Sequence, residues 1–284
     1  MINKRNEEVK IISQKIFNFF TAARYDLVIV NCKKNIKKFP EYLIFYNLLG
    51  SAYMNISKFH MAREIFSKAL RMDQNNITIM NNLANSEKNL FNYNVAEKLY
   101  CKIIDKKKDY LNAYVNYGNL KRDLNQFSQS SELYEEALKI NPKHPVVLYS
   151  LAMNYQSLGN FKLSIEYAFR AIAVDPKFTR ADLLISKSKK YKPNDDHLSH
   201  MHNKLNDLKL DDTQKYYLHF AMAKAYEDIN DIKKCYDNLN IANDLKKKSS
   251  NFNIQSQIKL FNDIKKTFSK VNLIKSTNKI ADNK

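Results

Sequence analysis

The sequence predicts an all-α chain built as a solenoid of antiparallel helix pairs. Three observations carry that prediction. Pro40, Pro142 and Pro176 are separated by 102 and 34 residues, and Gly50 and Gly118 by 68, all multiples of 34. Within one such period, apolar residues recur at helical spacing, as in Leu148, Leu151, Ala152 and Tyr155 at i, i+3, i+4 and i+7. The 284 residues include only 3 Gly and 5 Pro, too few for the many tight turns of an all-β chain.

Cutting at the period yields five units without insertion: 9–42, 43–76, 77–110, 111–144 and 145–178, with 1–8 as an N-terminal extension. The eighth place holds Ile16, Gly50, Ala84, Gly118 and Ala152, mostly small. The seventeenth holds Tyr25, Phe59, Tyr93, Phe127 and Phe161, and the twenty-seventh Asn35, Ala69, Ile103, Ala137 and Ala171. In the fifth unit Ser157-Leu158-Gly159-Asn160 ends the first helix, with Gly159 free to take the left-handed conformation. Ile165, Ala168, Phe169 and Ile172 form a second apolar face, and Asp175-Pro176 closes the unit. The small residues are expected to let the helices approach, and the place-17 aromatic to fill the space between them. One hairpin cannot bury its apolar stripe alone, so neighbours must stack.

Beyond 178 the register is lost. Residues 179–215 read as a helical spacer, with a break at Lys192-Pro193-Asn194-Asp195-Asp196 and a second at Leu210-Asp211-Asp212-Thr213. A sixth unit is expected at 216–249, with Ala223 its small place-8 residue and Asn230-Asp231 its turn. A capping helix follows at 250–271, and a polar, disordered tail at 272–284.

Period, small-residue places, place-17 aromatic and closing proline together resemble the tetratricopeptide repeat. YNLLGSAY (46–53), NNLANSEK (81–88) and VNYGNLKR (115–122) are similar to its first-helix signature. Ile12, Met80 and Leu148 depart from its usual place-4 aromatic. Glu87 and Lys121 depart from its place-11 Tyr, and Val28 from its small place 20. The resemblance implies a right-handed superhelix whose first helices line a concave face, and a role in protein–protein interaction. The stretch LHFAMAKAYEDINDIKKCYDNLNIAND (218–244), followed by KLFNDIKKTF (259–268), also resembles the end of the repeat region in tetratricopeptide–sulfotransferase fusion proteins. There a Gly-rich phosphosulfate loop follows. Here the last glycine is Gly159, so sulfotransferase activity is not carried over.

In that geometry places 2, 5, 6, 9, 12 and 13 face the groove. They hold Asn47, Ser51 and Asn55, then Asn81, Asn82, Asn85, Lys88 and Asn89. Asn112, Asn116, Asn119 and Arg122 follow in the fourth unit, and Tyr149, Met153 and Gln156 in the fifth. An asparagine amide both donates and accepts, so such a wall suits the backbone of an extended peptide. Lys88 and Arg122 would add attraction for acidic side chains or a carboxylate. A coding bias fills surface positions the same way: the chain has 35 Asn and a net charge of +18, and Asn, Lys and Ile share A/T-rich codons. Affinity for anionic partners is the competing source of that charge.

Other motifs point to bland roles. His197, His200 and His202 lie on a spacer helix that reads as solvated, with no metal-site geometry. Cys32, Cys101 and Cys235 fall near places 24, 25 and 20 and read as buried structural thiols. Three scattered cysteines suit a reducing compartment. With no run of about 18 apolar residues and no signal-like N-terminus, a cytoplasmic location is expected. The runs Lys106–Lys108 and Lys246–Lys248 read as solvated. Nucleic-acid binding would need them beside stacking aromatics, which the repeat assigns to the core. The expectation is an interaction scaffold for a protein or peptide, with no catalytic residue, cofactor or metal. The alternatives are a separated or truncated repeat half of a sulfotransferase acting in trans, and a basic anion binder.

Overall fold

A computed structural model describes residues 2–249 and 253–269, in which fifteen α-helices and no strand occur. Five hairpins come first. They pair α1 (Ile2–Thr21) with α2 (Tyr25–Lys38), α3 (Leu43–Asn55) with α4 (Phe59–Met72), and α5 (Ile77–Asn89) with α6 (Tyr93–Lys106). Then come α7 (Leu111–Asp123) with α8 (Phe127–Ile140) and α9 (Pro145–Ser157) with α10 (Phe161–Val174). A single helix, α11 (Thr179–Ser188), packs on α10 and α9. Four more follow: α12 (Asp196–Asp207), α13 (Asp212–Asp228), α14 (Ile232–Ser249) and α15 (Ile254–Ser269).

The chain divides into two compact units at Lys192/Pro193. Residues 179–215 therefore contribute to both: α11 belongs to the first unit and α12 to the second. In the second unit α12 rests on the α13–α14 hairpin. Residues 2–8 are the opening turns of α1. The tail expected at 272–284 lies outside the described residues.

One turn geometry recurs within the hairpins. The fifteenth place is left-handed in all six: Ala23 (φ 55°), Ser57 (58°), Phe91 (62°), Asn125 (59°), Gly159 (75°) and Asn230 (63°). The next residue's N–H then reaches back to the carbonyl five places earlier, as Lys58 to Tyr53 at 2.9 Å and Asn160 to Tyr155 at 2.8 Å. This 6→1 bond is the Schellman closure, and it satisfies carbonyls that the helix end leaves free. Between hairpins, Asp73, Asn141 and Asp175 cap the turn, each accepting from the backbone N–H two residues on at 2.9–3.2 Å.

The core runs along the array. Side chains at place 24 fill the space between paired helices: Phe66, Tyr100 and Tyr134 are fully buried. Place 8 is small to admit them. A Cβ on Gly50 would stand 2.5 Å from the Phe66 ring, and one on Gly118 2.6 Å from Tyr134. The expected role of the place-17 aromatics is corrected accordingly. They open each second helix half-buried, and Phe161 is 50% exposed. A ring at the first position of a helix sits at the hairpin's end, too far out to fill its middle.

Two further expectations are corrected. Cys32 is buried, and burial pushes its thiol up to about 12, but Cys101 is exposed and Cys235 only half-buried. On α12, His197 is buried and His202 bonds Tyr226 at 2.6 Å, so only His200 is a solvated member of that set. Burial and the nearby Lys234 and His219 lower the His202 pKa.

Candidate functional site

First helices of neighbouring hairpins touch directly, α1 with α3, α3 with α5 and α5 with α7. No comparable contact joins neighbouring second helices among the described residues. The array therefore bends toward its first helices, and their exposed sides form the inner wall. A hollow of about 220 Å³ opens there, lined by Phe20 of α1, Ser51, Met54 and Asn55 of α3, Phe66 of α4, and Asn82 and Asn85 of α5.

Most of the asparagines on this wall are already engaged. Asn82 donates to the Asn47 side-chain oxygen at 2.8 Å, and Asn116 to that of Asn81 at 3.1 Å. These bonds join adjacent hairpins at the same two places, a ladder repeated once per period. Asn85 and Asn119 are held differently. The buried Tyr100 and Tyr134 hydroxyls donate to their side-chain oxygens at 2.6 and 2.7 Å. Burial raises both phenol pKa values, so the hydroxyls stay protonated and can only be donors to these oxygens. With each oxygen turned toward its tyrosine, the amide nitrogens of Asn85 and Asn119 have no partner among the described residues. They stand as two prepared donors one repeat apart.

The cationic row is only half free. Lys88 pairs with Asp123 of the next hairpin at 2.8 Å, so its charge is largely met. Arg122 is different: its Nη1 atom is buried and has no hydrogen-bond partner among the described residues.

Elsewhere on the wall, Asn55 accepts from the Tyr25 hydroxyl at 3.1 Å and donates to the Ser51 carbonyl, and Asn89 donates to the Asn85 carbonyl. Asn112 is exposed. Tyr149 packs edge-on against Phe178, with ring centroids 5.3 Å apart, and Gln156 donates to the Ser188 hydroxyl. Met153 packs on the fifth-hairpin core. These last three continue the wall toward α11.

Sequence reading misses the residues that give the wall its chemistry: Tyr100, Tyr134, Asp123, and the apolar floor of Phe20, Met54 and Phe66. One signal was available. Tyr100 follows Asn85 by 15 residues, and Tyr134 follows Asn119 by 15. Among the described residues no group of His, Cys, Asp and Glu could hold a metal, and no helix is long and apolar enough to cross a membrane.

The tetratricopeptide-repeat family model matches residues 44–76, 111–144 and 146–178. No curated protein matches the chain. Among solved structures, Pseudomonas aeruginosa pilF is similar over 82% of this chain and 99% of its own, at 15% identity and a TM-score of 0.59. The Cut9 hetero-tetramer with Hcn1 of the APC/C is similar over 82% of this chain and 47% of its own, at 17% identity and 0.56. MamA is similar over 56% of this chain and 94% of its own, at 21% identity and 0.49. The first two likenesses establish the fold, an all-α solenoid of helix pairs.

Proposed function

We propose that this repeat chain is a protein-interaction scaffold, not an enzyme, and that it holds an extended peptide or a partner's helix along its first helices. One observation carries the reading. Tyr100 and Tyr134 orient the Asn85 and Asn119 amides, so their free N–H groups face the groove at the spacing of one repeat. Fixed donors lose less entropy on binding than rotating ones. An apolar side chain of the ligand fits the hollow over Phe20, Met54 and Phe66. The positive charge of Arg122, partly exposed on the same helix as Asn119, favours an acidic side chain or a carboxylate nearby. The scattered thiols suit work in a reducing compartment such as the cytoplasm.

The ligand's backbone carbonyls would accept from the two amides, a recognition indifferent to its side chains. The test begins with a partner captured from the native cell. Asn85→Asp combined with Asn119→Asp keeps both acceptors for the tyrosine hydroxyls and removes both donors. Two lost hydrogen bonds at about 0.5–1.5 kcal/mol each correspond to roughly 5- to 150-fold weaker binding. The melting temperature should not change. The alanine pair is the wrong probe: it orphans two buried hydroxyls, at about 1–3 kcal/mol of stability each. Unchanged affinity in the aspartate pair rejects the groove as the site.

The competing reading, a targeting half that serves a sulfotransferase in trans, is supported by the sequence resemblance at 218–244 and 259–268. Capture from the native cell of a catalytic chain that carries a Gly-rich phosphosulfate loop would favour it over the scaffold reading.

A further inference from the structure

In each of the first five hairpins the second helix is 14 residues long, and the next first helix packs on it after a four-residue turn. The sixth breaks that rule. α14 has 18 residues and runs on through Lys246, Lys247, Lys248 and Ser249, the places where other units turn. This stretch lacks the proline that three of the five other units carry there as Pro40, Pro142 and Pro176. No following helix packs on α14 among the described residues, and it keeps a bare apolar stripe. Ile232 and Tyr236 are each 64% exposed and Leu239 37%, at i, i+4 and i+7.

α15 has the matching defect. Ile254, Ile258, Leu260, Phe261, Ile264 and Phe268 occupy one side of the helix, and no residue of α15 is buried. Among the described residues nothing covers this side. Each stripe is about one helix face wide and needs an apolar partner of that shape.

We propose that α15 of one copy docks on the α14 stripe of a second copy, the exchange being reciprocal. The area favours this occupant. With both exchanges made, complete coverage of the nine part-exposed apolar side chains of each copy would bury at most about 1,800 Å², within reach of the roughly 1,200–2,000 Å² of stable specific interfaces. A single one-sided dock supplies only half of that. The polar side of α15 carries Lys259 and Lys266 beside Asp263, a weak net charge, while Lys265 lies at the apolar side between Ile254 and Ile258. A helix built to lie on an anionic membrane would have a strongly charged polar face instead. Reciprocal contact between the same two elements is also the self-complementary form expected of a two-fold dimer.

The experiment is sedimentation of the full chain across the micromolar range, alone and as Tyr236→Glu or Phe261→Glu. Both residues are largely exposed, so neither substitution should disturb helicity by circular dichroism. The expected result is a wild-type dimer and two monomeric variants. A disulfide forming between a Tyr236→Cys chain and a Phe261→Cys chain, each with Cys101 and Cys235 replaced by Ser, would place the two stripes together. Four outcomes overturn the proposal. The first is a wild-type chain monomeric throughout. The second is a dimer unaffected by either change. The third is a monomer whose α15 amides resist hydrogen exchange, which would mean α15 folds onto its own α14. The fourth is a monomer that floats with phosphatidylserine vesicles, which would make α15 a membrane-surface helix.

Discussion

The thiols show how identical side chains acquire different surroundings. Cys32 lies at place 24 of its hairpin, where siblings carry Phe66, Tyr100 and Tyr134, and it is sealed from water. Burial disfavours the thiolate, so its pKa rises to about 12 and almost none is ionised near neutral pH. Cys101 is one place further along its helix and exposed. A step of about 100° on a helix is enough to exchange core for solvent. We expect iodoacetamide at mildly alkaline pH to label Cys101 first in the folded protein, and Cys32 only after unfolding. Peptide mass spectrometry with and without urea reads this directly. Comparable early labelling of Cys32 would refute its burial. The sequence carried a sign of that rotation, since place 25 holds Lys33, Ser67 and Glu135 in sibling units, but a cysteine's own apolar character suits either side.

At the scale of the element, the hairpin turn is the most repeated feature and the least uniform in sequence. Its left-handed residue is Ala23, Ser57, Phe91, Asn125, Gly159 or Asn230. Only glycine takes that conformation freely; other residues are strained by about 1–2 kcal/mol, asparagine less. Phe91 is the bulkiest of the six and is 76% exposed, so it contributes little burial in return. Phe91→Gly should therefore stabilise the fold by about 0.5–1 kcal/mol, part of the relieved strain being offset by the greater freedom of glycine in the unfolded chain. A urea titration should show a higher midpoint at an unchanged slope. Asn125→Gly should gain less. A lower midpoint for Phe91→Gly would mean that the ring's contact with Tyr93, with centroids 6.0 Å apart, outweighs the strain.

For the whole molecule, a stacked array distributes stability by neighbour count. Each inner hairpin of the first unit buries apolar surface on both sides, while α1 packs only on α2 and α3. Opening an end element breaks one interface, and opening a middle one breaks two. Hydrogen exchange should accordingly be fastest in α1 and slowest in α5 to α8, with protection rising inward. Mass spectrometry of peptic fragments tests this. Uniform protection along α1–α11 would show that the first unit opens in a single global step.

The repeat period, the helix pairs and the turn positions were legible in the amino-acid order, because each depends on residues within a few places of one another. The spacing of apolar residues sets a helix face, and a proline sets its end. The groove's chemistry was not legible. Asn85 and Asn119 read as free amides in a groove, yet each is fixed by a tyrosine from the opposite helix of its hairpin. Lys88 reads as an open cation, yet Asp123 of the next hairpin answers it. Likewise α14 and α15 read as an ordinary unit and its cap, while the fold leaves a stripe bare on each. Those outcomes depend on how hairpins stack, since the partner of a hydrogen bond or of an apolar face lies 15 to 35 residues away or on another molecule, and only the packed arrangement selects it.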